Sequence, residues 1–249
     1  PFAGVYATYM LANDHPDLEV RLDRLLQAIK LVYASIFHKN AKSYITATAN
    51  KIEDERMAVV IQEVIGRETA GRFYPDISGA ARSRNHYPVD PLRMEDGLAA
   101  VCIGLGRQVS SGGKCLRFSP GQPKRIHQFY STTSIIETSQ SRFFAIPICE
   151  ESGDVKHSEE GNLLHLGLDD AEQDNRLSLV GSTYVSSDDR IVDSIRAEGG
   201  SRLVTFAPVL KHNKFPLAQI LDHVLKTCEQ FLATPVEMEF AINVDRGGG

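Results

Sequence analysis

The stretch MAVVIQEVIG, Met57–Gly66, constrains the fold more than any other part of the chain. It opens on a row of apolar residues, Met57 to Ile61. A continuous, β-branched run of this kind predicts a strand buried on both faces, because a half-exposed strand would alternate. Gln62 and Glu63 interrupt it, Val64 and Ile65 return to apolar, and Gly66 ends it. A polar pair at the end of a buried strand is costly unless it bonds something, and the edge of a ligand is one such partner. A strand end with unpaired backbone N–H and C=O groups can read a flat ring, with aliphatic side chains on either side of it. The plainer alternative is a strand that simply leaves its sheet.

The segment Pro235–Asn243, PVEMEFAIN, reads as a companion strand. Val236, Met238, Phe240 and Ile242 point one way, and Glu237, Glu239, Ala241 and Asn243 the other. Carboxylates two apart on a strand share a face, roughly 7 Å from one another. Hard oxygen ligands on a rigid strand suit magnesium bridging phosphates. From spacing alone, a solvated acidic edge strand is the simpler reading.

With 249 residues the chain can form one large domain or two lobes sharing a cleft. A net charge of −5 with the signs mixed argues against a nucleic-acid groove, which needs a concentrated basic face. No apolar run reaches membrane-spanning length, and no signal-peptide pattern opens the sequence. Cys102, Cys115, Cys149 and Cys228 are widely spaced, without a CxxC pair, which fits reduced thiols in a cytoplasmic protein. The eight histidines show neither HxxxH nor HExxH spacing and are read as structural or surface residues. The start at Pro1 and the closing glycines suggest an excised piece of a longer protein.

Along the chain, VYATYML predicts a strand and Leu18–Ile36 an amphipathic helix. Ala41–Glu55 is a less regular helical stretch. Gly71–Tyr74 and Ile77–Ser83 predict strands of an antiparallel meander, and Gly97–Gly104 fits strand or helix. GLGRQVSSGG follows as a glycine-rich loop, and Lys114–Pro120 leaves it as a short strand. Glycines at 104, 106, 112 and 113 permit close backbone approach to an anion, although no Walker A or Rossmann fingerprint is present. Arg107, Lys114 and Arg117 follow and could meet phosphates, though such residues are more often plain surface charges. Phe143–Ile148 predicts a strand; the acidic Glu150–Arg176 reads as an exposed insertion or linker. Beyond it lie strands at Leu177–Val185 and Leu203–Leu210, a short helix at Ile191–Arg196 and a confidently periodic helix at Phe215–Leu232.

Taken in order, PFAGVYATYML, LLQAIKLVYASIF, MAVVIQEVIG, ISGAARS, GLG and PVEMEFAIN resemble the N-terminal nucleotide-binding region of the phosphoenolpyruvate synthase and pyruvate phosphate dikinase family. The resemblance runs along nearly the whole chain. It implies an α+β ATP-grasp fold, with mixed and antiparallel sheets and flanking helices enclosing a nucleotide cleft. In that arrangement 1–55 would be the remnant of a first lobe, 56–148 and 177–245 the nucleotide-binding lobe, and 150–176 the insertion. Glu63, Val64 and Ile65 would read adenine through the backbone, with Gln62 beside them. Gly4 and its neighbours would cover the phosphates, Gly104 and Gly106 would form the family's glycine turn, and Glu239 would ligate Mg2+ on ATP. Family members pass a phosphoryl group from ATP to a histidine on a separate swivelling domain and then to pyruvate on a third domain. These domains and ATP are the partners the resemblance implies, with neither nucleic acid nor membrane among them.

Four departures stand out. Arg107 occupies the position after GLG where the family commonly has a carboxylate. An arginine-bearing strand before PFAG and a Gln/Arg-bearing strand after PVEMEFAIN are missing from the sequence, as is the histidine motif of the swivelling domain. The fragment is therefore expected to bind nucleotide weakly and to turn over nothing alone. A nucleotide-sensing or interaction module that has lost catalysis is the rival reading. A dikinase acting on another acceptor, as in relatives that phosphorylate glucans or an antibiotic, is a third.

Overall fold

The computed structural model describes residues 5–47, 57–148, 154–197 and 199–245. In chain order these form α1 (Leu18–Ala34), α2 (Lys39–Ala47), β1 (Arg67–Thr69), β2 (Arg72–Tyr74), β3 (Ile77–Arg82), β4 (Leu98–Cys102), α3 (Arg107–Ser110), β5 (Leu116–Phe118), α4 (Thr132–Thr138) and β6 (Arg142–Pro147). There follow β7 (Leu164–Gly167), α5 (Leu168–Gln173), β8 (Gly181–Val185), β9 (Arg190–Val192), β10 (Ser201–Val204), α6 (Ala207–Leu210), α7 (Leu217–Leu232) and β11 (Glu237–Ile242). The chain is α+β, with sheets in the orders β1-β2-β6-β7, β10-β8-β9 and β11-β3-β4-β5. No helix among the described residues is long and apolar enough to cross a membrane.

Two compact units divide the chain: Pro1–Phe73 with Ala145–Leu164, and Tyr74–Phe144 with His165–Gly249. The first contains α1 and α2. Asp17 caps α1 by accepting from the Glu19 amide at 2.9 Å. The helix falls where periodicity predicts it, but the burial is inverted. Arg24 and Ala28 are its buried residues, whereas Leu18, Leu22, Leu25 and Leu26 remain exposed. Periodicity marks the apolar stripe of a helix but not what covers it.

Residues 57–66 differ most from expectation. They form no strand, and Val60, Ile61 and Ile65 are exposed. Among the described residues, nothing in 57–65 makes a hydrogen bond. A buried strand requires neighbours along its edges and on its faces; among the described residues none pairs with its edges, and only Met57, Val59 and Val64 of 57–65 are half-buried. Gly66 ends the run because the Phe73 ring covers it; a Cβ there would lie 2.5 Å from the ring. VYATYML likewise forms no strand.

The second unit carries the best-packed sheet. β11 pairs antiparallel with β3, β3 with β4, and β4 with β5. One face, with Ile77, Ala81, Ala99, Val101, Leu116 and Phe118, is core. Leu217, Leu221 and Leu225 of α7 are buried at the helical spacing that predicts this helix. Gly79 admits a close approach at the centre of β3, where a Cβ would sit 2.1 Å from the Ala100 carbonyl oxygen.

Elsewhere three expectations change. The described part of the acidic stretch holds β7 and α5, with Leu168, Ala171, Asp174 and Arg176 buried. Charge density on exposed positions hid a short amphipathic helix. The helix expected at Ile191–Arg196 does not form: Ile191 and Val192 end β9, hydrogen-bonded to β8, and residues 193–196 are bends and turns. The strand expected over Leu203–Leu210 stops at Val204: Phe206 takes a left-handed φ of 54°, and Pro208 lies in the first turn of α6.

Candidate functional site

Backbone pairing fixes where the acidic strand presents its side chains. The Ser83 amide donates to the Val236 carbonyl and the Val236 amide to the Ser83 hydroxyl, each at 3.0 Å. At the far end the Val244 amide donates to Asp76 at 2.9 Å. Pinned at both ends, β11 pairs Glu237 with Arg82, Glu239 with Ala80, and Ala241 with Ser78. Val236 begins the inward-facing set, and the exposed–half-buried alternation of β11 follows the predicted pattern.

The two glutamates, equivalent by spacing, are chemically different. Glu237 forms an ion pair with its cross-strand partner Arg82 at 3.0 Å. Glu239 is exposed and, among the described residues, has neither a hydrogen bond nor an ion pair. Its cross-strand neighbour is Ala80, and the next strand continues the row with Ala100. Directly paired residues of an antiparallel sheet project from one face. Glu239 therefore stands as an uncommitted carboxylate at the edge of a shallow face floored by two half-buried alanines. Ala80 of ISGAAR and Ala100 of β4 make that floor. ISGAAR reads as a motif in the sequence, but pairing across three strands is needed to see what it lines.

The glycine turn belongs to the same face. Ser78 Oγ, two residues from Ala80 along β3, donates to the Gly104 carbonyl at 2.5 Å. Glu239 and Ser78 are diagonal cross-strand neighbours, about 7–8 Å apart. Gly104 has φ 84°, and a Cβ there would lie 2.7 Å from the Phe144 carbonyl oxygen, so this position requires glycine. Buried Gln140 fastens the turn from below: its carboxamide accepts from the Ile103 amide and donates to the Ile103 carbonyl, both at 2.9 Å. The Leu105 amide donates to the Phe144 carbonyl at 2.9 Å. Gly106 caps α3, in open surroundings, with only Ser78 Oγ at 4.0 Å from an added Cβ.

Gln62, Glu63, Val64 and Ile65 lie in the other unit, with Val64 half-buried and the other three exposed. Their backbone groups are free for a ligand, as a base-reading edge requires. Gly4 lies outside the described residues. Gly104, Gly106 and Glu239 all belong to the second unit, the two glycines in the turn that follows β4 and Glu239 on β11.

The donor set is compatible with magnesium, which keeps several waters and is held by one or two carboxylates together with substrate phosphates. No group of three or more His, Cys, Asp or Glu side chains is gathered among the described residues. A dedicated all-protein metal cage is thus not the arrangement seen, whereas a single unpaired carboxylate fits a metal shared with a phosphate. Cys102, the cross-strand partner of Ser78, projects from this same face where it is buried, 3.3 Å from Ser78 Oγ, and burial pushes its thiol up to about 12. It is a packing residue rather than a nucleophile.

The family model described as pyruvate phosphate dikinase, AMP/ATP-binding domain, matches residues 1–248. Neither a curated protein nor a solved structure matches the chain.

Proposed function

The chain belongs to the AMP/ATP-binding domain family of pyruvate phosphate dikinase, and on that premise we propose that it holds Mg-ATP for phosphoryl transfer to a histidine on a separate domain, and onward to pyruvate. The observation that carries this reading is the lone unpaired carboxylate of Glu239 beside a glycine turn, on a sheet face cleared by Ala80 and Ala100. Glu239 is the magnesium ligand in this reading. Glu237 is excluded from that role because Arg82 already balances it.

Magnesium, which Glu239 would hold, would offset the charge of the phosphates during transfer. The alanine floor lets the phosphates approach the sheet without displacing a bulky side chain. In this reading Gly104 and Gly106 hold the turn close to those phosphates, and Gly4 is the residue that covers them. Glu63, Val64 and Ile65 offer backbone donors and acceptors to the adenine edge, with Gln62 adjoining. The exposed aliphatic groups of Val60, Ile61 and Ile65 gain burial when a ring lies against them. No general base is needed from these residues, because transfer of this kind depends mainly on positioning and charge stabilisation.

Calorimetric titration of the intact protein with Mg-ATP tests the reading; heat of binding that requires magnesium is expected, and its absence rejects the proposal. The sensor reading is favoured by Arg107, a cation at the position where the family resemblance implies an acid. An ATP-dependent phosphohistidine in the intact protein separates the two: its formation excludes the sensor.

A further inference from the structure

The row that begins at Glu239 continues across the sheet. Glu239 pairs with Ala80, Ala80 with Ala100, and Ala100 with Arg117 on β5. Arg117 consequently projects from the same face at the opposite edge, three strand spacings or roughly 14 Å away. At that edge, wholly within the second unit, opens a cleft of about 600 Å³ whose lining includes Tyr87, Leu92, Lys114, Arg117, Ser119 and Arg125.

Three observations mark this cleft as built for an anion. First, Lys114, Arg117 and Arg125 are all exposed, and among the described residues none forms an ion pair. Glu137 is the only carboxylate among the lining residues. Three unbalanced cations gathered in one place in a chain of net charge −5 repel one another unless an anion joins them.

Second, the scaffold holds the cations in place. Gln128 accepts from the Arg117 amide at 3.0 Å and donates to the carbonyls of Cys115 and Thr138 at 3.1 and 3.3 Å. This clamps the segment bearing Arg125 along β5. Gln108 donates to the Lys114 carbonyl at 3.0 Å and fixes the turn that carries this lysine. Third, Ser119 lines the cleft at 1% exposure, and its hydroxyl has no hydrogen-bond partner among the described residues. The lining also holds residues of a different kind: Tyr87, 90% exposed, and half-buried Leu92.

We propose that this cleft is a second anion site that takes a small organic phosphate, its phosphate held by Arg117, Arg125 and Lys114 and its flat or apolar body lying against Tyr87. Arginine forks match phosphate oxygens, and an aromatic face accepts a planar group. The site is separate from the acid at the β11 edge and does not depend on the Mg-ATP reading.

Phenyl phosphate is a suitable probe because it supplies both parts, and inorganic phosphate supplies the head alone. Calorimetry on the unaltered chain is expected to show binding of phenyl phosphate. Removing both guanidinium groups in R117A/R125A is expected to weaken it by about tenfold or more, as loss of charge-assisted hydrogen bonds does. Y87A is expected to weaken phenyl phosphate while leaving inorganic phosphate unchanged. E239A should leave both unchanged. All of these positions are exposed, and unchanged thermal melts establish that the variants fold. Failure of the unaltered chain to bind, unchanged affinity in R117A/R125A, an equal effect of Y87A on both probes, or loss of binding in E239A would each overturn the proposal.

Discussion

Gly79→Ala is the most informative single-atom perturbation of the sheet that carries Glu239. The added methyl would sit 2.1 Å from the Ala100 carbonyl oxygen and 2.9 Å from Cζ of Phe240. Relief of the first contact requires a movement of about 1 Å by a backbone atom, not by a flexible side-chain end. Gly79 lies in β3, which pairs on one edge with β11 and on the other with β4, so neither neighbour can retreat without straining a ladder. Overpacking typically costs about 1–3 kcal/mol, and a clash with paired backbone belongs at the upper end. For a chain of this size, about 3 kcal/mol corresponds to a fall in Tm of roughly 6–12 °C. Differential scanning calorimetry of the two proteins under identical buffer reads this directly. A melt within about 1 °C of the unaltered protein would refute the packing argument, and with it the claim that β3 sets the position of Glu239.

Two other groups give pH-dependent outcomes. Arg202 hydrogen-bonds Glu172 through two nitrogens at 2.8 and 2.9 Å, and this pairing holds the Glu172 carboxyl below the usual carboxylate range. A depressed folded pKa means stability present at neutral pH and lost as pH falls through the folded value; urea midpoints of Arg202→Met should therefore lie below those of the unaltered protein at pH 7 and converge with them in acid. Cys102 works in the opposite sense: its thiol, raised from 9.0 to about 12 by burial, contributes stability fully below the lower value and loses it as pH rises towards the upper. Cys102→Ala should show a shallower alkaline decline, and in the unaltered protein Cys102 should resist alkylation at pH 8 while half-buried Cys228 reacts; equal labelling of the two would contradict the burial argument.

Local periodicity made parts of the fold legible. The alternation of PVEMEFAIN gives β11 and its two faces, and the leucine spacing of α7 gives both helix and buried stripe. ISGAAR appears as the expected meander strand, whereas Leu98–Cys102, which by pattern fits strand or helix, is settled as β4 only by its pairing with β3. What stayed hidden depends on neighbours distant in sequence. The apolar Met57–Ile61 run has the composition of a buried strand, yet its burial is decided by partners that composition does not contain. The leucines of α1 fail for the same reason, because a stripe does not name its cover. Glu237 and Glu239 are indistinguishable until register sets Arg82 opposite one and Ala80 opposite the other. The row from Glu239 to Arg117 needs three separate strand pairings, which no local pattern encodes. Family resemblance alone singled out Glu239; register adds that its carboxylate, unlike that of Glu237, has no cross-strand cation.

The magnesium dependence of ATP affinity in two matched variants bears most directly on the proposed role of Glu239. Glu239→Gln keeps the size of the side chain but removes its charge, and calorimetry should show ATP affinity that no longer rises when magnesium is added. Glu237→Gln removes only a carboxylate already neutralised by Arg82 and should keep the full magnesium response. A retained response in Glu239→Gln, or its loss in Glu237→Gln alone, would contradict the assignment.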